Sequence, residues 1–111
     1  MPPILQPTAQ TSREAAALLS RHLTPAPLVR FDGRGALRGV ETHVQCEFHN
    51  PVRSFKIRGA LTLVDHLVGG GKTRCVLTAS TGNHGAAMAY ACDKRGLPLT
   101  VGVPEGCDKS K

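Results

Sequence analysis

The stretch RCVLTASTGNHGAAMAYACDKRGLPLTVGV, residues 74–103, decides the fold class. Arg74–Ala79 is a short apolar run and predicts a strand. A polar, glycine-containing turn follows at Ser80–Gly85. A helix is expected over Ala86–Arg95, stopped by Gly96-Leu97-Pro98, and Leu99–Val103 predicts a second strand. Strand, helix and strand in that order make a βαβ unit. Its two strands must run parallel, with a right-handed crossover, so the fold class is α/β.

Upstream, Pro51 breaks the chain and Ser54 can cap a helix running to about Val68. On a helical wheel Ile57, Ala60, Leu61, Val64 and Val68 share one face, with Arg58, Thr62, Asp65 and His66 on or near the other. Gly69-Gly70-Gly71 ends this helix and predicts a flexible joint. Further back, Glu41–Phe48 alternates, with Val44, Cys46 and Phe48 on one side, so a strand with one buried face is expected. Pro27–Phe31 reads as a short strand turned by Asp32-Gly33. Thr11-Ser12-Arg13-Glu14 has the form of a capping box, which starts a helix ending near His22. Residues 1–10 read as a loose tail. Asp108 looks like the cap of another helix with only three residues behind it, so the chain is expected to be an incomplete α/β unit.

Length and composition bound the function. At 111 residues the chain is one domain at most, and 41% hydrophobic residues argue against wholesale disorder. The longest uninterrupted apolar stretch, Ala86–Cys92, falls far short of the ~20 residues of a membrane helix. Cysteines stand at 46, 75, 92 and 107 with no Cys-x-x-Cys, which fits a reducing cytoplasm and excludes a zinc knuckle. No His-Glu-x-x-His occurs, and no metal is expected. The net charge of +6 comes from scattered bases without interleaved aromatics, so neither nucleic acid nor membrane is an expected partner. From Phe48 to Cys92, however, Arg53, Lys56, Arg58, Lys72 and Arg74 face the single acid Asp65, a balance that suits a small anionic ligand. Compensating acids on a partner or on further chain would explain it equally well.

Two phosphate motifs fail on inspection. Gly71-Lys72-Thr73 resembles the end of a P-loop, but His66 stands where the first glycine belongs. Gly33-Arg34-Gly35 fails the dinucleotide pattern because Arg38 takes the third glycine's place. Lys56 is a better candidate. It lies at the edge of the apolar face in the first helical turn, where partial burial and the helix dipole both favour a neutral amine able to form an imine. On spacing alone it reads rather as a lysine whose stem covers apolar surface while its ammonium reaches water. Likewise Ser80–Gly85 can converge N–H groups and hydroxyls on an anion, and it is equally an ordinary capped βα turn.

Taken together, Ser54-Phe55-Lys56-Ile57-Arg58-Gly59-Ala60 and Thr78-Ala79-Ser80-Thr81-Gly82-Asn83-His84-Gly85 resemble the fold-type II (tryptophan synthase beta-like) pyridoxal-phosphate enzymes. The likeness is to the serine/threonine dehydratase (ammonia-lyase) and serine racemase branch, and it covers roughly Thr24 to Lys111. It implies pyridoxal 5'-phosphate as cofactor, with Lys56 holding it covalently and later moving the substrate's α-proton. It also implies that Phe55 packs on the cofactor ring and Asn83 bonds its 3′ oxygen. Ser80, Thr81, Gly82 and His84 would grip the carboxylate of an amino-acid substrate. The implied organisation is a large-domain piece at 1–68, a linker at 69–73, and the first half of a small domain at 74–111. The full-length form would be a homo-oligomer.

The implied reaction is β-elimination of water from L-serine or L-threonine, giving a 2-oxo acid and ammonia. A β-replacing synthase such as a threonine synthase is the enzymatic rival, because Asn50-Pro51 before Ser-Phe-Lys is synthase-like. An inactive binding or regulatory piece is the other. Three departures from the family pattern bear on this choice. Val52-Arg53 stand where Thr-Gly is usual, and Arg in the glycine's place calls for an unusual backbone. Thr81 occupies the place of the serine used by racemases of this branch, which points to elimination. The family's glycine-rich phosphate cradle lies beyond the matching segments.

Overall fold

The computed structural model describes residues 7–108. Helix α1 (Ala9–Leu19) is capped by Thr8, whose hydroxyl accepts from the Thr11 N–H while the Thr11 side chain returns a bond to the Thr8 backbone. The capping box is therefore real but one turn earlier than expected from Thr11–Glu14. The tail expected over 1–10 already enters a helix at Ala9, and residues 1–6 of it lie outside the described residues.

Strands β1 (Leu28–Asp32) and β2 (Glu41–Gln45) form an antiparallel pair with Val29 opposite Val44 and Phe31 opposite Thr42. The expected strand to Phe48 ends early, since Glu47–His49 winds into a 3₁₀ turn that lifts Phe48 off the strand. The expected buried face is absent too. Val44 and Phe48 are exposed, and no residue of the pair is buried. Alternation identified the strand correctly, but among the described residues no second layer covers it.

The core forms between two helices. Helix α2 (Lys56–Gly69) buries Ile57, Ala60, Leu61 and Val64, as its apolar stripe requires. Helix α3 (Asn83–Lys94) meets it with Ala87, Met88, Ala91 and Cys92. Small side chains at Ala60, Ala87 and Ala91 let the helices approach closely, and Ile57 and Val64 are fully buried there. Burying each such aliphatic side chain is worth about 1.5–3 kcal/mol. Asp65 on α2 and Arg95 just after α3 close the rim with an ion pair of 2.8 Å. The segments on both sides of Gly69–Thr73 thus meet in one core.

Strands β3 (Val76–Ala79) and β4 (Leu99–Gly102) pair in parallel, Val76 with Leu99 through Ala79 with Gly102, around α3. The βαβ unit stands as expected. Helix α3 ends in a left-handed glycine cap. Gly96 sits at φ +62°, its N–H bonds the Asp93 carbonyl, and the Leu97 N–H reaches back to Cys92 at 2.9 Å. That closure tucks Leu97 into the core and aims the chain into β4. Asp108 is the last described residue, so a helix beyond it lies outside the described residues. Among the described residues no helix is long and apolar enough to cross a membrane, and no cluster of His, Cys, Asp and Glu could hold a metal ion.

Candidate active site

The loop before α2 is organised by one amide. Asn50 Oδ1 accepts from the N–H groups of Val52 (3.1 Å) and Ser54 (3.3 Å), while Nδ2 donates to the Ser54 carbonyl (2.9 Å) and to Glu47 (3.3 Å). The tight turn this enforces places Arg53 at φ +54°, the left-handed region that favours glycine. Ser54 is buried and its hydroxyl accepts the Lys56 N–H at 3.3 Å, but the helix opens at Lys56 with Phe55, not Ser54, at the cap position and without a side-chain cap bond. Glu47 anchors the loop to the helix. Its Oε1 receives both Nε and a terminal nitrogen of Arg58 at 2.9 Å, and a further bond from Gln45. Burial pushes the Glu47 carboxyl up, but the bonds from Arg58, Gln45 and Asn50, with the Arg58 charge, outweigh it and hold the group below its ordinary value.

Lys56 is exposed, not half-buried as its wheel position predicted. The apolar stripe turns toward α3, and the first residue of α2 is left at its edge. Its Nζ stands 5.3 Å from the ring centroid of Phe55, itself 62% exposed, and no ion pair engages it among the described residues. Phe55, Lys56, Gly59, Ala60 and Leu63 form one wall of a cleft of about 320 Å³, and His84 and Met88 of α3 form the other. That size is at the lower end of small-molecule sites, ~300–1,000 Å³.

Asn83, His84 and Gly85 belong to the first turn of α3, so the turn expected over Ser80–Gly85 is only Ser80–Gly82. Ser80 Oγ accepts the N–H groups of Gly82 (3.1 Å) and Gly85 (2.9 Å) and thereby caps the helix. Its hydroxyl is engaged by the backbone, whereas the N–H groups of Thr81, Asn83 and His84 have no partner among the described residues. Gly85 packs closely against Ser80 and Val101. A Cβ there would stand 3.2 Å from Ser80 Cβ, 3.3 Å from Ser80 Oγ and 3.4 Å from Val101 Cγ1.

The expected site residues therefore fall into two groups. Lys56, Phe55 and His84 share the cleft between the helices. Ser80, Thr81 and Gly82 line a second hollow of about 220 Å³ with Val101, Val103 and Cys107. Asn83 is exposed at the start of α3 and lines neither. Thr78 was not singled out from the sequence as a site residue, yet its Oγ1 stands 3.0 Å from His84 Nε2. Its only signal was its place on the strand leading into the turn. Met88 and Leu63, the apolar floor of the cleft, were not singled out from the sequence.

Residues 19–111 match the profile of the family described as "Pyridoxal-phosphate dependent enzyme". The chain is 39% identical over 89 residues to the serine racemase of Homo sapiens, covering 78% of this chain and 26% of that protein. It is 35% identical over 97 residues to the biosynthetic L-threonine dehydratase of Mycobacterium leprae, covering 87% of this chain and 23% of that protein. The crystal structure of serine racemase from Dictyostelium discoideum matches with a TM-score of 0.80 at 30% identity, over 92% of this chain and 34% of the other. The chain spans about a quarter to a third of the length of these relatives.

Proposed function

The chain belongs to the pyridoxal-phosphate dependent enzyme family, with the mixed α/β fold of its fold-type II members, and on that premise we propose that it serves β-elimination of water from L-serine or L-threonine. The observation that carries this is the cleft itself. A lysine without an ion pair among the described residues and a histidine, from helices separated by a strand and a glycine joint, line one small hollow with an aromatic ring beside the amine.

The residues present fit the cofactor. Lys56 offers a primary amine to an aldehyde, Phe55 offers a face to an aromatic ring, and Leu63, Ala60 and Met88 supply an apolar floor. When bound, pyridoxal phosphate supplies the electron sink that stabilises carbanion charge at the substrate Cα. Lys56 Nζ would hold the cofactor and would be the base for the Cα proton. Asn83 Nδ2, exposed at the start of α3, would be the donor toward the ring oxygen. The open N–H groups of Thr81 and Asn83, with Gly82 and His84, hold the substrate carboxylate, and Ser80 sets the shape of that turn through its two accepted bonds. The β-hydroxyl would leave as water on taking the proton that Lys56 carries from Cα, and hydrolysis of the released enamine would give the 2-oxo acid and ammonia. The same reading assigns residues 1–68 to a large domain, 69–73 to its linker and 74–111 to the start of a small one, in a homo-oligomeric cytoplasmic protein.

Racemisation of an amino acid is the second reading, supported by the likeness to serine racemases. Thr81 retains the hydroxyl that a second proton carrier needs, with an added methyl that narrows its approach. Incubation with pyridoxal phosphate, borohydride reduction and peptide mapping tests the common premise. Label on Lys56, abolished in Lys56→Ala, is expected, and label on Lys72 or Lys94 instead would overturn it. Parallel assays for 2-oxo acid and for D-serine from L-serine separate elimination from racemisation.

A further inference from the structure

His84 is the one cleft residue whose ring is held by a side chain of a different element. Thr78 lies on β3, half-buried, and its Oγ1 meets His84 Nε2 at 3.0 Å across the turn. A neutral imidazole carries one donor and one acceptor, and the partner of one nitrogen decides which is which. The Thr78 hydroxyl proton has no other acceptor among the described residues. The contact is exposed, with His84 itself exposed, so the 3.0 Å geometry and the hydroxyl's lack of another acceptor among those residues are what favour Thr78 as donor.

We propose that Thr78 is a positioning residue: its hydroxyl donates to His84 Nε2, so that the ring is fixed as the neutral Nδ1–H tautomer and presents a donor beside Lys56. The first turn of α3 then offers a set of like groups. The Nδ1–H of His84 would add a donor to the first turn of α3, where the N–H groups of Thr81, Asn83 and His84 have no partner among the described residues, and donors suit a carboxylate. An unanchored ring would favour the other tautomer and turn a lone pair toward the same anion. The contribution to carboxylate binding rests on the proposed function, whereas the tautomer rests on the direction of the Thr78 bond.

Long-range proton–nitrogen correlation of the labelled chain near pH 8 reads the tautomer directly and needs no cofactor. In unconstrained histidine the Nε2–H form predominates, so a protonated Nδ1 and a bare Nε2 at His84 is a distinctive expectation. Thr78→Val should return His84 to the Nε2–H form, and Thr78→Ser should keep Nδ1–H. An Nε2–H ring in the parent chain, or a Thr78→Val spectrum identical to it, overturns the proposal. The second arm titrates L-serine into the pyridoxal-phosphate-loaded protein. Thr78→Val should weaken apparent serine affinity about tenfold, the low end for a hydrogen bond to a charged group, with Thr78→Ser restoring it. Unchanged affinity in Thr78→Val would overturn the positioning role. Failure of the parent protein to load at Lys56 would defeat the functional reading instead, while the nitrogen spectra still decide the tautomer.

Discussion

Arg53→Gly should stabilise this protein, although it removes the whole side chain. Arg53 sits at φ +54°, where a residue with a Cβ is strained by about 1–2 kcal/mol. Its guanidinium makes no ion pair among the described residues, so the substitution relieves strain without losing a contact of that kind. Against this stands the greater freedom of glycine in the unfolded chain, about 0.5–1 kcal/mol. The balance is a gain of about 0.5–1 kcal/mol. Urea unfolding should show a higher midpoint with an unchanged slope. Arg53→Ala retains the Cβ and should leave the midpoint near that of the parent. Arg53→Pro should unfold earlier than either, because its φ is locked near −65° and the Arg53 N–H bond to the Asn50 carbonyl, 3.0 Å, is lost. A glycine variant no more stable than the alanine variant would refute the strain argument. Since Arg53 lies three residues before Lys56 in the same turn, Arg53→Gly should also raise cofactor occupancy, measured by absorbance after gel filtration.

Other perturbations test separate parts of the site. Glu47 titrates below its ordinary value of 4.5, so its contribution to stability is fully present above that pH and is lost as the pH falls through the lower folded value. Glu47→Gln should flatten that acid limb in unfolding curves taken from pH 6 downward, and an unchanged limb would remove Glu47 as its source. Ser80→Ala should cost about 1 kcal/mol by freeing the Gly82 and Gly85 N–H groups. Gly85→Ala sets crowding against Ser80 and Val101 against a helix-propensity gain of about 1 kcal/mol, so the denaturant midpoint should move by less than Ser80→Ala moves it. Asn83→Ala should shift the visible spectrum of bound cofactor, while Thr81→Ala should mainly raise the substrate KM. An Asn83→Ala protein with parent spectrum and turnover would make that residue structural only.

Local pattern was enough for much of this molecule. The parallel βαβ unit, the apolar stripe of α2 and the stop at Gly96-Leu97-Pro98 follow from period, propensity and backbone restriction, which act within a few residues. The pairing of Ser-Phe-Lys with Ser-Thr-Gly-Asn-His-Gly was also legible, because both motifs are contiguous in the chain. What the alternation of Glu41–Phe48 did not reveal was whether another layer covers the strand, and the 3₁₀ turn at Glu47–His49 arises where Glu47 is drawn to Arg58, eleven residues on. The exposure of Lys56 had the same kind of origin, since the direction of the α2 stripe depends on where α3 packs. Ser80 looked like an open hydroxyl until the fold brought the Gly85 N–H within 2.9 Å of it. Thr78 and His84 meet only because a strand and a helix are joined by a sharp turn, and the meeting depends on angle as well as spacing. Residue type and order established which groups were available for the chemistry. Helix packing and turn geometry decided which of them face one another, because those distances are set by contacts between segments that no local period encodes.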